Sequence, residues 1–260
     1  MRLNQRVALI TGGDRGLGLG IAQAFAREGA RVCIANRHAE SGQSAAAEIC
    51  GAGGSAMAVS MDVCDEAQVE QAFSQCAQQW GGVDILVSNA GVQHIELLRD
   101  LALEDWQRML AVHLDGAFLT TRAAMRSMEA TGRGGNILYI GSLFSITSAR
   151  LKAPYVTAKH GLVGLCQSAA REGVEHGIRC NIIEPGFIRT ELLEKQIPEQ
   201  AKALGISEEE VIKRLFLADT VDGCFTTVEE VAEAAVFFAS YPTSALTGQS
   251  LAVSHGMVMH

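Results

Sequence analysis

The sequence predicts an α/β domain built on a doubly wound parallel sheet. Short apolar segments rich in β-branched residues recur along the chain, alanine-rich amphipathic stretches separate them, and the two alternate nearly to the C-terminus. Such alternation is typical of a parallel sheet with helices on both faces and a ligand crevice at the carboxyl ends of its strands. The 260 residues are 48% hydrophobic and 19% charged, which favours one domain, residues 1–260, with a single large core.

The elements follow from hydrophobic periodicity. Continuous apolar runs predict buried strands at residues 7–10, 32–35, 57–59, 85–87, 137–140, 180–183 and 251–253. Amphipathic stretches long enough to be crossover helices cover residues 19–28, 67–80, 106–128 and 158–175. Thr227 and Glu230 form a capping-box pattern that predicts the start of a last helix.

One segment, residues 189–223, interrupts this alternation. It is polar and helix-prone, and it contains no clear strand. Its position predicts a small helical lid over the crevice. The alternative is a solvated surface excursion, in which the acidic run at residues 208–210 is an exposed helix start.

Charge and composition favour a small-molecule partner. The chain has 29 acidic and 21 basic residues, a net charge of −8, which does not favour binding to nucleic acid or to an anionic membrane. The seven cysteines form no CxxC pair, and no histidine or cysteine cluster predicts a metal site. The first apolar run is only as long as a strand, so we expect no signal or membrane segment and a cytoplasmic location.

The sequence TGGDRGLG, residues 11–18, directly follows the first predicted strand. Glycines at Gly12, Gly16 and Gly18 allow a tight turn whose amides approach a pyrophosphate, and the next helix adds its positive end. The glycine spacing differs from GxGxxG. The prediction of a phosphate-binding turn therefore depends on the predicted strand before these glycines and the predicted helix after them.

Asn36 and Arg37 stand at the end of the second strand, where a carboxylate would favour NAD. Arg37 and Arg15 can form charge-assisted hydrogen bonds to a 2′-phosphate, so NADP is the preferred cofactor, with NAD still possible. The alternative is that both arginines are merely solvated.

With these motifs in order, the whole chain resembles the classical short-chain dehydrogenase/reductase family. The resemblance implies a Rossmann-type fold, NAD(P) and a carbonyl or alcohol substrate. It assigns catalysis to Ser142 and to the YxxxK pair Tyr155 and Lys159. The implied cofactor-binding residues, besides Tyr155 and Lys159, are Gly12, Asp14, Arg15, Gly16, Leu17, Gly18, Arg37, Asp62, Val63, Asn89, Ala90, Gly91, Pro185, Gly186, Ile188 and Thr190.

The chemistry of these three residues agrees with that assignment. Tyr155 and Lys159 lie one helical turn apart and so project from the same face. An adjacent ammonium is expected to lower the pKa of the phenol, which then exchanges a proton with the substrate. Ser142 stands at the end of a predicted strand, where its hydroxyl can donate a hydrogen bond to the substrate oxygen. No GxSxG elbow surrounds it, so the sequence does not predict that Ser142 is a nucleophile.

Within the family, the chain most resembles bacterial D-3-hydroxybutyrate dehydrogenases, through AGVQH, YVTAKHG and LLEKQI. That resemblance implies that Gln93, Lys152 and Gln196 bind a substrate carboxylate, beside Ser142. Phe144 stands where such enzymes carry histidine, so a bulkier or neutral carbonyl is the alternative substrate.

Two further departures from the family pattern concern His113 and the C-terminus. His113 replaces an asparagine of the proton relay, and it either binds a water or packs as a buried side chain. Ser254, His255 and Gly256 replace DGG, at the edge of the pocket or at a subunit contact. His113 and this altered C-terminus together leave open an alternative function, a protein that binds and senses NADP but has lost turnover. The family resemblance implies a homotetramer.

Overall fold

The computed structural model describes residues 1–189 and 191–259. Within residues 191–204, it describes the side chains of Leu193, Glu194, Ile197, Pro198, Ala201, Lys202 and Leu204. The strands are β1 (Val7–Thr11), β2 (Arg31–Asn36), β3 (Ser55–Ser60), β4 (Ile85–Ser88), β5 (Gly135–Ile140), β6 (Ile178–Pro185) and β7 (Ser250–Val253). Each contains one of the predicted strands.

The seven strands form one parallel sheet in the order β3-β2-β1-β4-β5-β6-β7. The chain winds outward from β1 in one direction and then restarts at β4 in the other. The crevice at the carboxyl ends of β1 and β4 is therefore a topological switch point, where such sheets bind their ligands. The predicted Rossmann-type sheet is confirmed.

The helices are α1 (Gly16–Arg27), α2 (Ala39–Gly51), α3 (Glu66–Trp80), α4 (Leu103–Leu110), α5 (Gly116–Thr131), α6 (Ala153–Glu172), α7 (Glu191–Leu204), α8 (Glu208–Val211) and α9 (Val228–Ser240). The stretch predicted as one helix over residues 106–128 is divided by a π-helical turn, Ala111–Asp115. α2 was not among the predicted helices, because its apolar face consists largely of alanine.

Two apolar cores cover the two faces of the sheet, because successive strand residues point to opposite sides. On one face, Leu9 and Cys33 pack with residues of α3, α5 and α6. On the other, Ile10 and Ile34 pack with residues of α1, α2 and α9. The helices therefore cover both faces, as the strand and helix alternation predicts.

The inserted segment 189–223 contains α7, α8 and a π-helical turn, Ile212–Phe216. Leu193, Ile197, Val211 and Phe216 form a small separate core, against which Phe187 packs. The acidic run at 208–210 begins α8 behind a capping box of Ser207 and Glu210, and Thr227 and Glu230 cap α9 as predicted. Among the described residues, no helix is both long enough and apolar enough to cross a bilayer.

Candidate active site

The turn between β1 and α1 is shaped by glycines. Gly12 and Gly16 have φ of 61° and 54°, left-handed values that glycine adopts without strain. A Cβ on Gly18 would overlap the carbonyl oxygen of Gly12 and lie 2.6 Å from Asn89 Nδ2. The turn is therefore a cradle that closes only without a side chain at this position, which fits a pyrophosphate held on backbone amides.

The sequence SNAG, residues 88–91, begins at the last residue of β4 and holds this turn in place from the side. Asn89 Nδ2 donates to the carbonyl oxygens of Thr11 at 2.9 Å and Gly12 at 3.1 Å. Thr11 Oγ1 in turn accepts from the backbone N–H groups of Asn89 and Ala90, both at 2.9 Å. The neighbouring ends of β1 and β4 are thus joined directly across the switch point.

The end of β2 carries the groups that face an adenosine ribose in this fold. Asn36 Nδ2 donates to Ser41 Oγ at 3.0 Å, and Ser41 Oγ donates to Asp14 Oδ2 at 2.9 Å. Arg15 and Arg37 are exposed beside this chain of hydrogen bonds. Ser41 was not among the predicted residues, since it comes from α2, the helix that the periodicity did not reveal.

The remaining predicted cofactor residues lie along the same edge of the sheet. Asp62 follows β3 and accepts from Cys64 N at 2.9 Å, and Val63 is buried against Gly116. Leu17 is half-buried in the first turn of α1. Beyond β6, Ile188 forms a bridge with Thr226. Thr190 and the side chain of Gln196 lie outside the described residues.

Three predicted catalytic residues meet beyond β5. Ser142 follows the strand directly, and α6 presents Tyr155 and Lys159 to it. The Ser142 side chain acts on the Tyr155 phenol and lowers its pKa. Lys159 Nζ lies 5.4 Å from the centroid of the Tyr155 ring and donates to the carbonyl oxygen of Ile140 at 2.7 Å. A hydroxyl pair backed by a buried ammonium is suited to proton transfer.

The electrostatics differ from the expectation that Lys159 lowers the pKa of Tyr155. Burial raises the pKa of Tyr155, and the hydrogen bond with Ser142 opposes that effect. Burial also lowers the pKa of Lys159, to about 8. The direction predicted for Tyr155 was wrong because desolvation of the phenolate outweighs the effect of Ser142. Tyr155 is therefore a neutral phenol, a proton donor, at neutral pH.

His113 lies in the π-helical turn and is buried behind the active residues. Its Nε2 is 2.7 Å from the carbonyl oxygen of Val92, and its ring meets that of Tyr155 edge-on with centroids 5.3 Å apart. Burial and the charge of Lys159 lower the pKa of His113 to about 4, so it stays neutral near pH 7. Gly91 leaves room for it, since a Cβ there would lie 2.6 Å from the imidazole.

A cavity of about 320 Å³ opens beside Ser142. Two aromatic rings of its wall, Phe144 and Phe187, meet with centroids 6.4 Å apart, and Phe144 also meets Tyr155 at 6.3 Å. Its lining is mainly apolar and comes from four parts of the chain: Ser142, Leu143, Phe144, Thr147, Ser148, Pro185, Gly186, Phe187, Leu215, Asp219, Met257 and Val258. Leu215 and Asp219 belong to the inserted segment, and the residues after β7 supply Met257 and Val258.

Two of the residues predicted to bind a substrate carboxylate, Lys152 and Gln93, stand apart from the residues that line this cavity, which include Phe144. Lys152 Nζ lies 5.0 Å from the centroid of the Phe144 ring, a cation–π contact. Burial lowers the pKa of Lys152. Within the described part of the chain, neither Lys152 nor Gln93 is among the residues that line the cavity. Gln93 is half-buried in the segment after β4.

Comparison with known proteins agrees with this geometry. Residues 6–201 match the family model described as short chain dehydrogenase. The chain belongs to the short-chain dehydrogenase/reductase family. It is thus an NAD(P)-dependent oxidoreductase that interconverts ketones and secondary alcohols.

Individual members of the family are similar over nearly their whole length. D-beta-hydroxybutyrate dehydrogenase of Rhizobium meliloti is 36% identical over 253 residues, 96% of this chain and 98% of that protein. Galactitol 2-dehydrogenase of Agrobacterium fabrum is also 36% identical and covers 98% of both chains. A crystal structure of a short-chain type dehydrogenase/reductase from Mycobacterium marinum has a TM-score of 0.87 at 33% identity, covering 98% and 96% of the two chains.

The cavity wall was largely missed by sequence reasoning. Phe187, Leu215, Met257 and Val258 are far apart in the chain, and their apolar character does not distinguish them from core residues. The one signal was the altered DGG motif at Ser254 to Gly256, which stands directly before Met257. The two residues that follow this motif, Met257 and Val258, line the cavity.

Proposed function

We propose that this oxidoreductase uses Tyr155 as its proton donor and acceptor, Ser142 to orient the substrate oxygen, and Lys159 to stabilise the phenolate. The observation that carries the proposal is the position of Tyr155 between two groups: Ser142, which lines the cavity and lowers the pKa of Tyr155, and the buried Lys159 ammonium, 5.4 Å from the centroid of the Tyr155 ring. Ser142 lines the cavity that a carbonyl oxygen would enter, Tyr155 lies next to Phe144 on its wall, and the nearby His113 stays neutral near pH 7.

Carbonyl reduction follows from these protonation states. A substrate oxygen accepts hydrogen bonds from Ser142 and Tyr155, which polarise the carbonyl. A reduced nicotinamide cofactor, held at the glycine turn of residues 11–18, would supply the hydride that the carbonyl carbon accepts. Tyr155 gives its proton to the developing alkoxide, and the Lys159 ammonium stabilises the phenolate left behind. Oxidation of an alcohol requires the reverse, with Tyr155 accepting the hydroxyl proton.

The preferred cofactor in this proposal is NADP. Arg15 and Arg37 are exposed beside Ser41, and no carboxylate replaces Asn36 at the end of β2. A 2′-phosphate would gain charge-assisted hydrogen bonds from the two guanidinium groups. Arg37→Ala should therefore weaken NADPH binding about tenfold while leaving NADH unchanged. Arg27→Ala, an exposed arginine at the far end of α1, is the matched control.

Two substrate classes have separate support. The similarity to D-beta-hydroxybutyrate dehydrogenases favours a small 3-hydroxy acid held by Gln93, Lys152 and Gln196. The apolar cavity wall, which includes Phe144 with the Lys152 ammonium against its ring, favours a neutral carbonyl with an apolar substituent. We propose the neutral class, because the residues that line the cavity carry one charged side chain, and that charge is negative.

Turnover of acetoacetate and of acetophenone, each with NADH and NADPH, tests both parts of this proposal. Acetophenone with NADPH should be the better pair, and Lys152→Ala should leave its turnover unchanged. Preference for acetoacetate, lost in Lys152→Ala, would instead support the hydroxy acid.

The proton-transfer role has its own test. Tyr155→Phe should abolish turnover while NADPH binding is retained, and Tyr241→Phe should behave as the parent. Unchanged turnover in Tyr155→Phe would refute the mechanism. An inactive parent that still binds NADPH would support a sensor.

Residues 189–223 act as a lid in this proposal, supported by Leu215 and Asp219 on the cavity wall.

The proposal also includes assembly into a homotetramer in the cytoplasm. Its support is the family membership and the exposure of Leu103 on α4 and Phe118 on α5, at 68% and 47% of their surface. Sedimentation at micromolar concentration tests the assembly.

A further inference from the structure

A histidine outside the catalytic group lies between two carboxylates. His255 Nδ1 is 2.7 Å from Asp222 Oδ2, and its Nε2 is 3.1 Å from Glu230 Oε2. A neutral imidazole has one N–H and can donate to one of these oxygens, whereas an imidazolium donates to both. The arrangement is therefore complete only when the ring is protonated on both nitrogens.

These contacts join three separate segments. Asp222 lies at the end of the inserted segment, Glu230 in the first turn of α9, and His255 after β7. Glu230 Oε2 also accepts from Thr227 N at 2.8 Å, as part of the cap of α9. The backbone adds one more link, because Val221 N donates to the carbonyl oxygen of His255 at 2.9 Å.

The backbone at this point turns the chain toward the cavity. His255 and Gly256 have φ of 52° and 76°, a left-handed pair in which the first residue is not glycine. A Cβ on Gly256 would lie 2.7 Å from Val221 Cγ1, so the inserted segment packs directly on the turn. The two residues that follow, Met257 and Val258, line the substrate cavity together with Leu215. A left-handed non-glycine residue persists only where its surroundings hold it there.

We propose that His255 is a positioning residue for the substrate cavity: its doubly protonated ring holds the C-terminal segment against the inserted segment and α9, and so keeps Met257 and Val258 on the cavity wall. This inference rests on the proposed function, since the cavity is assigned to the substrate there. His255 is 33 residues from Asp222 and 25 residues from Glu230 in sequence, and the hydrogen bonds of its two ring nitrogens go to these carboxylates.

The charge on the ring makes this contact dependent on pH. Asp222, from the inserted segment, and Glu230, from α9, are the charged groups that face the imidazole, and both raise the pKa of His255. The residues that flank it, 254 and 256–259, carry no ionisable side chain. A group whose pKa is raised in the folded state is fully protonated below its unfolded value, and the contact is lost as pH rises through the folded value. Substrate affinity should fall over that pH range.

His255→Asn is the decisive variant, because asparagine tolerates a left-handed backbone but carries no charge. The substrate is acetoacetate or acetophenone, whichever the parent turns over faster. For that substrate we expect KM to rise about fivefold in His255→Asn while kcat stays unchanged. We also expect KM of the variant to be independent of pH. Asp222→Asn should shift the rise in KM to lower pH. His176→Asn, which removes a histidine 3.8 Å from Glu129 in another part of the molecule, should behave as the parent. A parental KM and pH profile in His255→Asn would overturn the proposal.

Hydrogen exchange at the Val221 amide tests the contact without catalysis. Its protection should fall in His255→Asn, and in the parent it should fall as pH rises, after correction for the intrinsic exchange rate. If neither acetoacetate nor acetophenone is turned over, the proposed function fails. The exchange measurement then still tests the contact of His255 with Asp222 and Glu230. Unchanged protection of Val221 in a folded His255→Asn variant would refute it.

Discussion

Gly18→Ala is the sharpest test of the phosphate-binding turn. The added methyl would overlap the carbonyl oxygen of Gly12 and lie 2.6 Å from Asn89 Nδ2. Relief of this overlap requires the turn to open or the Asn89 side chain to move. Either change weakens the hydrogen bonds from Asn89 to Thr11 and Gly12, at 2.9 and 3.1 Å. The turn would then lose the geometry that directs its amides to a pyrophosphate.

The expected magnitude follows from these contacts. Overpacking a rigid site costs about 1–3 kcal/mol, so the free energy of unfolding should fall by about 2 kcal/mol. A similar loss of binding energy weakens NADPH binding at least about tenfold. Chemical denaturation and titration of NADPH fluorescence measure the two effects separately.

Gly51→Ala is the matched control for this substitution. Gly51 is also a helical glycine, but nothing lies within 4 Å of the position that a Cβ would take there. Its variant should be as stable as the parent or slightly more stable, since alanine is the better helix former. If Gly18→Ala matched the parent in both stability and NADPH affinity, the description of the turn as a cradle closed to side chains would be wrong.

Three other predictions follow from buried or capping groups. Asp84→Ala should lower the free energy of unfolding by about 3 kcal/mol, because the buried carboxylate accepts hydrogen bonds from Arg133 Nε and Val7 N, both at 2.9 Å. Urea denaturation measures this loss of stability. Thr227→Ala should cost about 1 kcal/mol by removing the N-cap of α9, measured in the same way. The kcat/KM for carbonyl reduction should decline above pH of about 8, where the buried ammonium of Lys159 loses its proton, and a flat profile through this range would contradict the role of Lys159.

Much of the fold and of the catalytic group could be predicted from residue order. Each predicted strand lies within an observed one, because a buried parallel strand requires a continuous apolar run whatever its neighbours are. Gly12 and Gly16 adopt left-handed conformations, a property that glycine has by itself. The spacing of Tyr155 and Lys159 places both on one face of α6, since helical geometry is local.

The sequence by itself determined the sheet, the glycine turn and the catalytic helix, because each depends on local backbone preference or on hydrophobic periodicity. Only the tertiary structure decided that burial raises the pKa of Tyr155, that Lys152 lies against Phe144, and that His255 meets Asp222 and Glu230. Desolvation, cavity shape and charge pairing arise between segments distant in the chain, and local sequence carries no record of which segments will meet.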